Sequence, residues 1–162
     1  MRAAILTITV LLSGCFGDVT DLGGDQKKVV DVKGILGAWS GCMTMPNFQA
    51  ANMTTSWSTL TSTSDAKQCV NCHDSGQFGF MASDDETAFF TGISQHSGLM
   101  AVYFSVDIDT EEVVVNHESF ARANSAVGHP RFNTNNAGMT ALETFHAATL
   151  TNTICETSRM LD

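Results

Sequence analysis

The sequence predicts a mainly α-helical domain with one small inserted β-hairpin, and two patterns of apolar residues support this. Apolar residues recur at three- and four-residue intervals over about residues 45–60, 83–98 and 139–155, which is the spacing of amphipathic helices. Apolar and more polar residues alternate over residues 100–108 and return at 113–115, as in two half-buried strands joined by a turn. Helices therefore supply most of the predicted core.

Length and charge exclude several classes of protein. A chain of 162 residues suits one domain with a terminal appendage. Eight Lys and Arg face 17 Asp and Glu, and the longest basic run is Lys27-Lys28, so no nucleic-acid partner is expected. No apolar run reaches the roughly 18 residues that a membrane-spanning helix needs, which excludes a polytopic membrane protein.

The N-terminus has the pattern of an export signal. Arg2 precedes about ten mostly apolar residues, too few to span a bilayer. Ser13 and Gly14 then precede Cys15, and this resembles the bacterial lipobox, which implies lipidation of Cys15 after cleavage. Because Phe16 stands where an aspartate would favour inner-membrane retention, the resemblance implies a lipid anchor in the outer membrane of a Gram-negative cell envelope. The alternatives are an unmodified Cys15 in a secreted protein, or a buried helix.

Three segments are therefore expected along the chain. Residues 1–14 form a lipoprotein signal peptide, and residues 15–34 form a lipidated flexible tether that is polar and contains Gly23-Gly24. The folded domain covers residues 35–162.

The first predicted helix, over about residues 45–60, has Pro46 near its start. A loop over residues 75–80 contains two glycines and two phenylalanines, which are expected to pack on a cofactor. Residues 83–86, Ser-Asp-Asp-Glu, form a capping box that opens the second helix, which Gly98 is expected to end. The predicted hairpin follows, and a polar stretch then leads to the last helix, which is expected to include Cys155.

The motif that carries chemistry is Cys69-Val70-Asn71-Cys72-His73. In an exported protein, C-x-x-C-H indicates covalent attachment of one c-type haem. The two thiols form thioethers with the haem vinyl groups, and the two-residue spacer matches the vinyl separation on a helical turn. His73 then lies beneath the iron as the proximal ligand.

Three alternatives to haem attachment are weaker. A thioredoxin-like C-x-x-C needs a preceding strand and a long following helix, but a polar loop over residues 62–68 comes before Cys69. A zinc site needs a second ligand pair, and no other C-x-x-C or H-x-x-x-H occurs. A disulfide across only two residues is strained and uncommon.

Cys42 and Cys155 remain, one near each end of the domain. In an oxidising compartment a bridge between them would close a loop of more than 100 residues, for which the loop-entropy model gives about 4–5 kcal/mol at best. Lipid, haem and this disulfide together use all five cysteines. The alternative is two free buried thiols.

The order of helix, C-x-x-C-H, glycine loop, helix and terminal helix resembles that of a class I cytochrome c over about residues 40–160. The whole chain also resembles small monohaem cytochrome lipoproteins of Gram-negative bacteria. The resemblance implies a cytochrome c-like domain around the haem, in which the first and last helices cross. Two features depart from it: the hairpin is an insertion, and no Met-Pro pair follows the haem motif.

The sixth iron ligand is therefore open. Met100 and Met139 occupy positions where any amphipathic element places an apolar residue. His129-Pro130 lies just before the terminal helix, where class I cytochromes have Met-Pro, and the proline would stiffen the ligand loop. We predict His129 as the distal ligand, with Met100 and Met139 as alternatives. The remaining candidates are Met81, His96, His117 and His146.

The expected function is electron transfer by haem, with both axial positions filled and no catalytic residues. The acidic chain favours a redox partner protein with a basic docking face. Two alternatives come from other classes. One is a haem enzyme or sensor with an open sixth position, including peroxidase-like activity. The other is a lipid-anchored assembly module that carries haem.

Overall fold

The computed structural model describes residues 28–161, which form a mainly helical fold with one two-stranded antiparallel sheet. This confirms the mainly α class and the small hairpin. In chain order, the elements are α1 Val32–Cys42, α2 Met45–Ala50, α3 Met53–Ser58, α4 Val70–His73, a 3-10 turn Gln77–Gly79, α5 Glu86–Gln95, α6 Ser97–Tyr103, β1 Phe104–Val106, β2 Val113–Val115, α7 His117–Ser125 and α8 Ala137–Leu150.

Helix α1 is an element that the sequence patterns did not predict. The carboxylate of Asp31 accepts a hydrogen bond from Gly34 N at 2.9 Å and caps the helix, which begins at Val32. Helix α1 thus begins three residues before Ile35, within the last part of the predicted tether. The predicted signal peptide and residues 15–27 of the tether lie outside the described residues.

The single helix predicted over residues 45–60 is two short helices, α2 and α3. Thr44 caps α2 by accepting from Asn47 N at 3.3 Å. Asn52 then adopts a left-handed backbone with φ +57°, which interrupts the helical path before α3. Asparagine tolerates this conformation better than most residues. The apolar spacing continues through residue 52, so the sequence pattern does not reveal the break.

The second predicted helix is also shorter than expected. Asp85, rather than Ser83, caps α5 by accepting from Ala88 N at 2.9 Å, while Ser83 Oγ accepts from Asp85 N. The helix ends at Gln95 instead of Gly98, and Gly98 lies within α6.

The hairpin is confirmed, but its strands are only three residues long and pair Phe104 with Val115 and Val106 with Val113. Met100 and Val102, predicted as strand residues, lie in α6 instead. Met100 and Tyr103 are three residues apart and both buried, so helical spacing also places apolar side chains of this segment in the core.

Two further differences lie near the C-terminus. The stretch predicted as polar loop contains α7, capped by Asn116, whose side-chain oxygen accepts from Ser119 N at 3.1 Å. Helix α8 ends at Leu150, so Ile154 and Cys155 lie beyond it rather than inside it.

The core is dominated by aromatic side chains between α2, α5 and α8. Phe48 is fully buried, and its ring makes edge-to-face contacts at 5.3–5.5 Å with the rings of Phe89, Phe90 and Phe145. Helix α8 packs against both α2 and α3, the pair that replaces the first predicted helix. The last helix therefore contacts the two helices that lie where the first helix was predicted, whereas the first helix of the structure is α1.

The C-terminal segment lies along α1. Cys42 and Cys155 form a disulfide with an S–S distance of 1.95 Å, as predicted. Glu156 N donates to Gly41 O at 3.0 Å, and a Cβ on Gly41 would collide with the Glu156 carbonyl. Glycine at this position lets the two backbones approach each other. Asn152 Nδ2 also donates to Cys42 O at 2.9 Å, so the disulfide is one of several ties.

Candidate haem site

The C-x-x-C-H segment folds as a single helical turn. Cys69 precedes α4, and its carbonyl oxygen accepts from Cys72 N at 3.2 Å and from His73 N at 3.0 Å. Residues three and four positions apart lie on one face of a helix, so the turn brings both thiols and the imidazole together. All three residues line one cavity. Both cysteines are free, Cys69 buried and Cys72 exposed.

The surroundings of this turn do not suit dithiol redox chemistry. Burial raises the pKa of Cys69 to about 12, whereas a disulfide oxidoreductase works through a thiolate of lowered pKa. The segment before Cys69 has only an isolated bridge between Thr61 and Gln68, and α4 is four residues long. The strand and long helix of a thioredoxin-like site are not found around the motif in the described chain.

The cavity has a volume of about 560 Å³, within the range of sites that enclose a small organic cofactor. Its lining comes from α3, α4, α6, α7, α8 and the loops beside them. Most of the wall is apolar, and its large side chains are Trp57, Phe78, Phe80, Val102, Tyr103, Phe120, Phe132, Met139 and Leu142. Such a wall favours a flat apolar ring system over a polar ligand.

His73 is held so that one ring nitrogen remains available. Its Nδ1 lies 2.8 Å from Gln77 O, and because a carbonyl only accepts, Nδ1 carries the proton. The Nε2 lone pair is then free to bind a metal. The rings of Phe80 and Phe78 contact the imidazole edge-to-face at 5.0 and 5.9 Å. These contacts fix the ring at the cavity wall.

His129 and His73 both line the cavity, with 6.3 Å between their ring centroids and a tilt of 44° between the rings. Imidazole nitrogens bind metals at about 2.0–2.1 Å, so two rings that share one metal from opposite sides have centroids roughly 6 Å apart. The Nδ1 atom of His129 is buried and has no hydrogen-bond partner within the described chain. The spacing of the pair is therefore compatible with two imidazoles that would bind one metal ion between them.

The loop that carries His129 is tied down at both of its ends. The side chain of Asn124 accepts from Phe132 N at 2.6 Å and donates to Phe132 O at 2.8 Å, which closes the loop. Arg131 O accepts from Thr63 N at 2.7 Å, which joins this loop to the segment before the C-x-x-C-H turn. These hydrogen bonds fix the position of the His129 loop relative to the C-x-x-C-H turn.

Of the other candidate distal ligands, only Met139 lines the cavity. Met100 is fully buried, but in the core beneath α6, away from the cavity wall. His146 is committed elsewhere, because its Nε2 lies 2.7 Å from Val113 O. The candidates that do not contribute to the lining are Met81, His96, Met100, His117 and His146.

The cavity wall also carries polar groups that the sequence patterns did not identify. Trp57 is almost completely buried, and its Nε1 has no hydrogen-bond partner among the described residues. Lys67 and Arg122 line the same cavity, each beside a carboxylate: Asp65 at 3.2 Å and Glu118 at 3.7 Å. An unpartnered indole N–H and two cations suit a ligand that bears carboxylates.

Helix α7 supplies one side of the cavity and was missed because it is mostly polar and none of its residues is fully buried. Its Phe120 contacts the Trp57 ring at 6.0 Å, and Ala123 and Asn124 line the wall one turn later. The signal that could have found it is the cap, since Asn116 precedes a first turn that contains Glu118.

The remaining predicted sites lie elsewhere. Cys15, the predicted lipidation site, is outside the described residues. Cys42 and Cys155 do not line the cavity, so the disulfide is separate from it.

Comparison of the chain with protein-family models, with curated proteins and with solved structures finds no match. Within residues 28–161, no three His, Cys, Asp or Glu side chains converge as a metal-binding group. In the same range, none of the helices combines the length and apolar character needed to cross a membrane.

Proposed function

We propose that the protein is a monohaem c-type cytochrome that transfers single electrons at the cell envelope, with a class I-like fold. One observation carries the proposal. The ring centroids of His73 and His129 are 6.3 Å apart in the lining of an apolar cavity, and the same lining contains two free thiols. Covalent haem c is the cofactor whose attachment needs two thiols and whose iron needs two axial ligands.

Cys69 and Cys72 would hold the haem. Each S–H adds across one vinyl group, so that sulfur bonds to one vinyl carbon and hydrogen to the other. No atom leaves, and the iron keeps its oxidation state. The free state of both thiols supports this role, because a disulfide between them would block the addition.

His73 and His129 would hold the haem iron through ring nitrogens, and the bound haem would supply the one-electron redox chemistry. Imidazole favours ferric iron more than thioether does, so a bis-histidine site has a lower reduction potential than a His/Met site. Met139 is the alternative ligand on the cavity wall, whereas the position of Met100 in the core argues against that residue.

The rest of the wall has two tasks. The aromatic side chains exclude water and so limit reorganisation around the haem. Trp57 Nε1, Lys67 and Arg122 would donate hydrogen bonds or charge to the haem carboxylates, which explains polar groups in an otherwise apolar lining. No acid–base or nucleophilic role is assigned to any residue, so the proposed protein is a carrier rather than an enzyme.

We place the protein on the outer membrane through a lipid on Cys15, and we propose a redox partner with a basic docking face. The 17 acidic residues support that charge complementarity. Lys67 and Arg122 do not make the surface near the cavity basic, because each is paired with a carboxylate.

The test uses full-length protein produced with haem-attachment machinery. We expect a reversible one-electron transition in a mediated titration, without the long-wavelength band of oxidised His/Met haem. The reduced spectrum should change little under carbon monoxide, because both axial positions are filled. Rapid carbon monoxide binding would contradict a carrier and favour a haem enzyme or sensor with an open sixth position.

A further inference from the structure

The loop that follows His73 returns to His73 at its far end. Ala82 N donates to His73 O at 2.8 Å, which closes a loop over residues 74–81. The buried hydroxyl of Tyr103 donates to Met81 O and joins the end of this loop to the core. Both ends of the loop are therefore fixed, and its interior conformation decides where its carbonyl groups point.

Three residues of this loop have left-handed backbones. Gly76 has φ +83° and Gly79 has φ +74°, which glycine adopts without strain. Phe78 lies between them with φ +59°, a costly conformation for a bulky side chain. Its ring is 90% exposed, so burial of the ring does not offset the cost. The conformation needs another explanation.

The explanation lies one residue earlier. The Gln77 carbonyl belongs to the peptide unit that joins Gln77 to Phe78, and the φ angle of Phe78 helps to set the direction of that unit. This carbonyl lies 2.8 Å from His73 Nδ1. With a right-handed or extended Phe78, the same peptide unit would turn, and the carbonyl would leave the imidazole.

We infer that Phe78 is a positioning residue, whose left-handed backbone aims the Gln77 carbonyl at His73 Nδ1 and so orients the proximal ligand. The inference rests on the proposed function. A hydrogen bond to the outer nitrogen of a metal-bound imidazole fixes its tautomer and ring plane and increases its basicity. The loop therefore acts on the proximal ligand through its backbone, in addition to the edge contact that the Phe78 ring makes with the imidazole.

This inference predicts the sign of a shift in reduction potential. A more basic imidazole stabilises Fe(III), so a weakened bond between Gln77 and His73 should raise the potential. It also predicts that the reduction potential depends more on the backbone conformation of residue 78 than on the size of its side chain.

The experiment compares Phe78→Gly with Phe78→Val in the haem-loaded protein. Both variants lose the ring, but glycine accepts the left-handed backbone while β-branched valine resists it. We expect Phe78→Val to have a higher potential than Phe78→Gly, because both variants lose the ring contact with His73 and only valine also disturbs the left-handed backbone. Proton NMR of the reduced protein should show the His73 Nδ1–H exchanging about tenfold faster in Phe78→Val, as loss of one hydrogen bond implies.

A glycine pair supplies the matched control. A Cβ on Gly79 or on Gly98 would meet no atom within 4 Å, but only Gly79 has a positive φ. Gly79→Ala should therefore shift the potential in the same direction as Phe78→Val, and Gly98→Ala should leave it unchanged.

Equal potentials and equal exchange rates in Phe78→Gly and Phe78→Val would overturn the inference while leaving haem attachment intact. A wild-type chain that takes up no haem would instead refute the proposed function, so the two failures are distinguishable.

Discussion

The two cysteine pairs within the described chain differ in almost every physical respect. Cys42 and Cys155 are 113 residues apart in sequence, and they join α1 to the C-terminal segment. Cys69 and Cys72 are three apart, lie on one helical turn and stay free at the edge of an apolar cavity. The first pair joins two segments whose backbones are also hydrogen-bonded to each other, whereas the second pair lines a cavity between several helices.

This contrast shows how one residue type serves two purposes in a single small domain. A bridge across 113 residues restricts the unfolded chain strongly, so the first pair suits stability. A bridge across two residues would restrict it little, so stability does not explain the second pair. The neighbouring His73 lines the same cavity, which is why we propose that the second pair attaches a cofactor there.

The largest expected effect comes from removing the free pair. Cys69→Ser together with Cys72→Ser should abolish covalent haem completely, because serine hydroxyls do not form the thioethers. The pyridine haemochrome assay, expressed as haem per chain, measures this directly. Cys42→Ser is the control and should retain one haem per chain. Covalent haem in the double serine variant would refute the attachment site.

The next effect concerns the opposite side of the cavity. His129→Ala should open the sixth position, turn the oxidised spectrum from low-spin to high-spin and permit carbon monoxide binding. Met139→Leu is the matched control, since leucine keeps the apolar volume but cannot ligate iron. If the histidine variant stays low-spin and the methionine variant changes, Met139 is the ligand and the His129 assignment is wrong.

Breaking the disulfide should have a smaller effect of a different kind. Cys42→Ser should lower the free energy of unfolding by about 2–5 kcal/mol, since the unfolded chain regains freedom. Denaturant titration measures the loss, and the haem spectrum should stay the same. Cys155→Ser and the double variant should lose about the same amount, because all three remove one bond. An altered haem spectrum in these variants would contradict the separation of the two regions.

The smallest effect tests the unpartnered indole. Trp57→Phe removes the N–H while keeping an aromatic ring, so haem-loaded protein should lose about 0.5–1.5 kcal/mol of stability if Nε1 donates to a haem carboxylate. Haem-free protein should not lose this contribution, because Nε1 has no partner among the described protein groups. Parallel titrations of both forms give the comparison. Equal losses in the two forms would mean that Trp57 acts only in packing.

The sequence predicted which residues of the candidate site lie together better than it predicted the shape of the cavity walls. Cys69, Cys72 and His73 are adjacent in sequence, and one helical turn is enough to bring them together. His129 was predicted from its proline and its place before the last helix. Its ring lies 6.3 Å from that of His73, and its role as a ligand stays a prediction. The fixed spacing of a motif and the stiffness of a proline are local properties that one sequence displays.

The walls depend on contacts that a sequence does not display. The break at Asn52 follows from one left-handed backbone inside an unbroken apolar pattern. Met100 and Val102 satisfied a strand pattern, yet burial of Met100 with Tyr103 favours a helix. Tertiary packing decides between two periods when a segment is short. Helix α7 was missed for another reason, because it is mostly polar and lacks the apolar stripe that predicts a helix.

The central claim is that Cys69 and Cys72 carry one covalent haem, and intact mass combined with acidified-acetone extraction tests it most directly. Full-length protein matured with haem-attachment machinery should gain the mass of exactly one haem, with no other atom lost, and acetone should extract no haem. Peptide mapping should place the group on residues 69–73. A chain that keeps its unmodified mass, or that releases haem into acetone, would contradict the account.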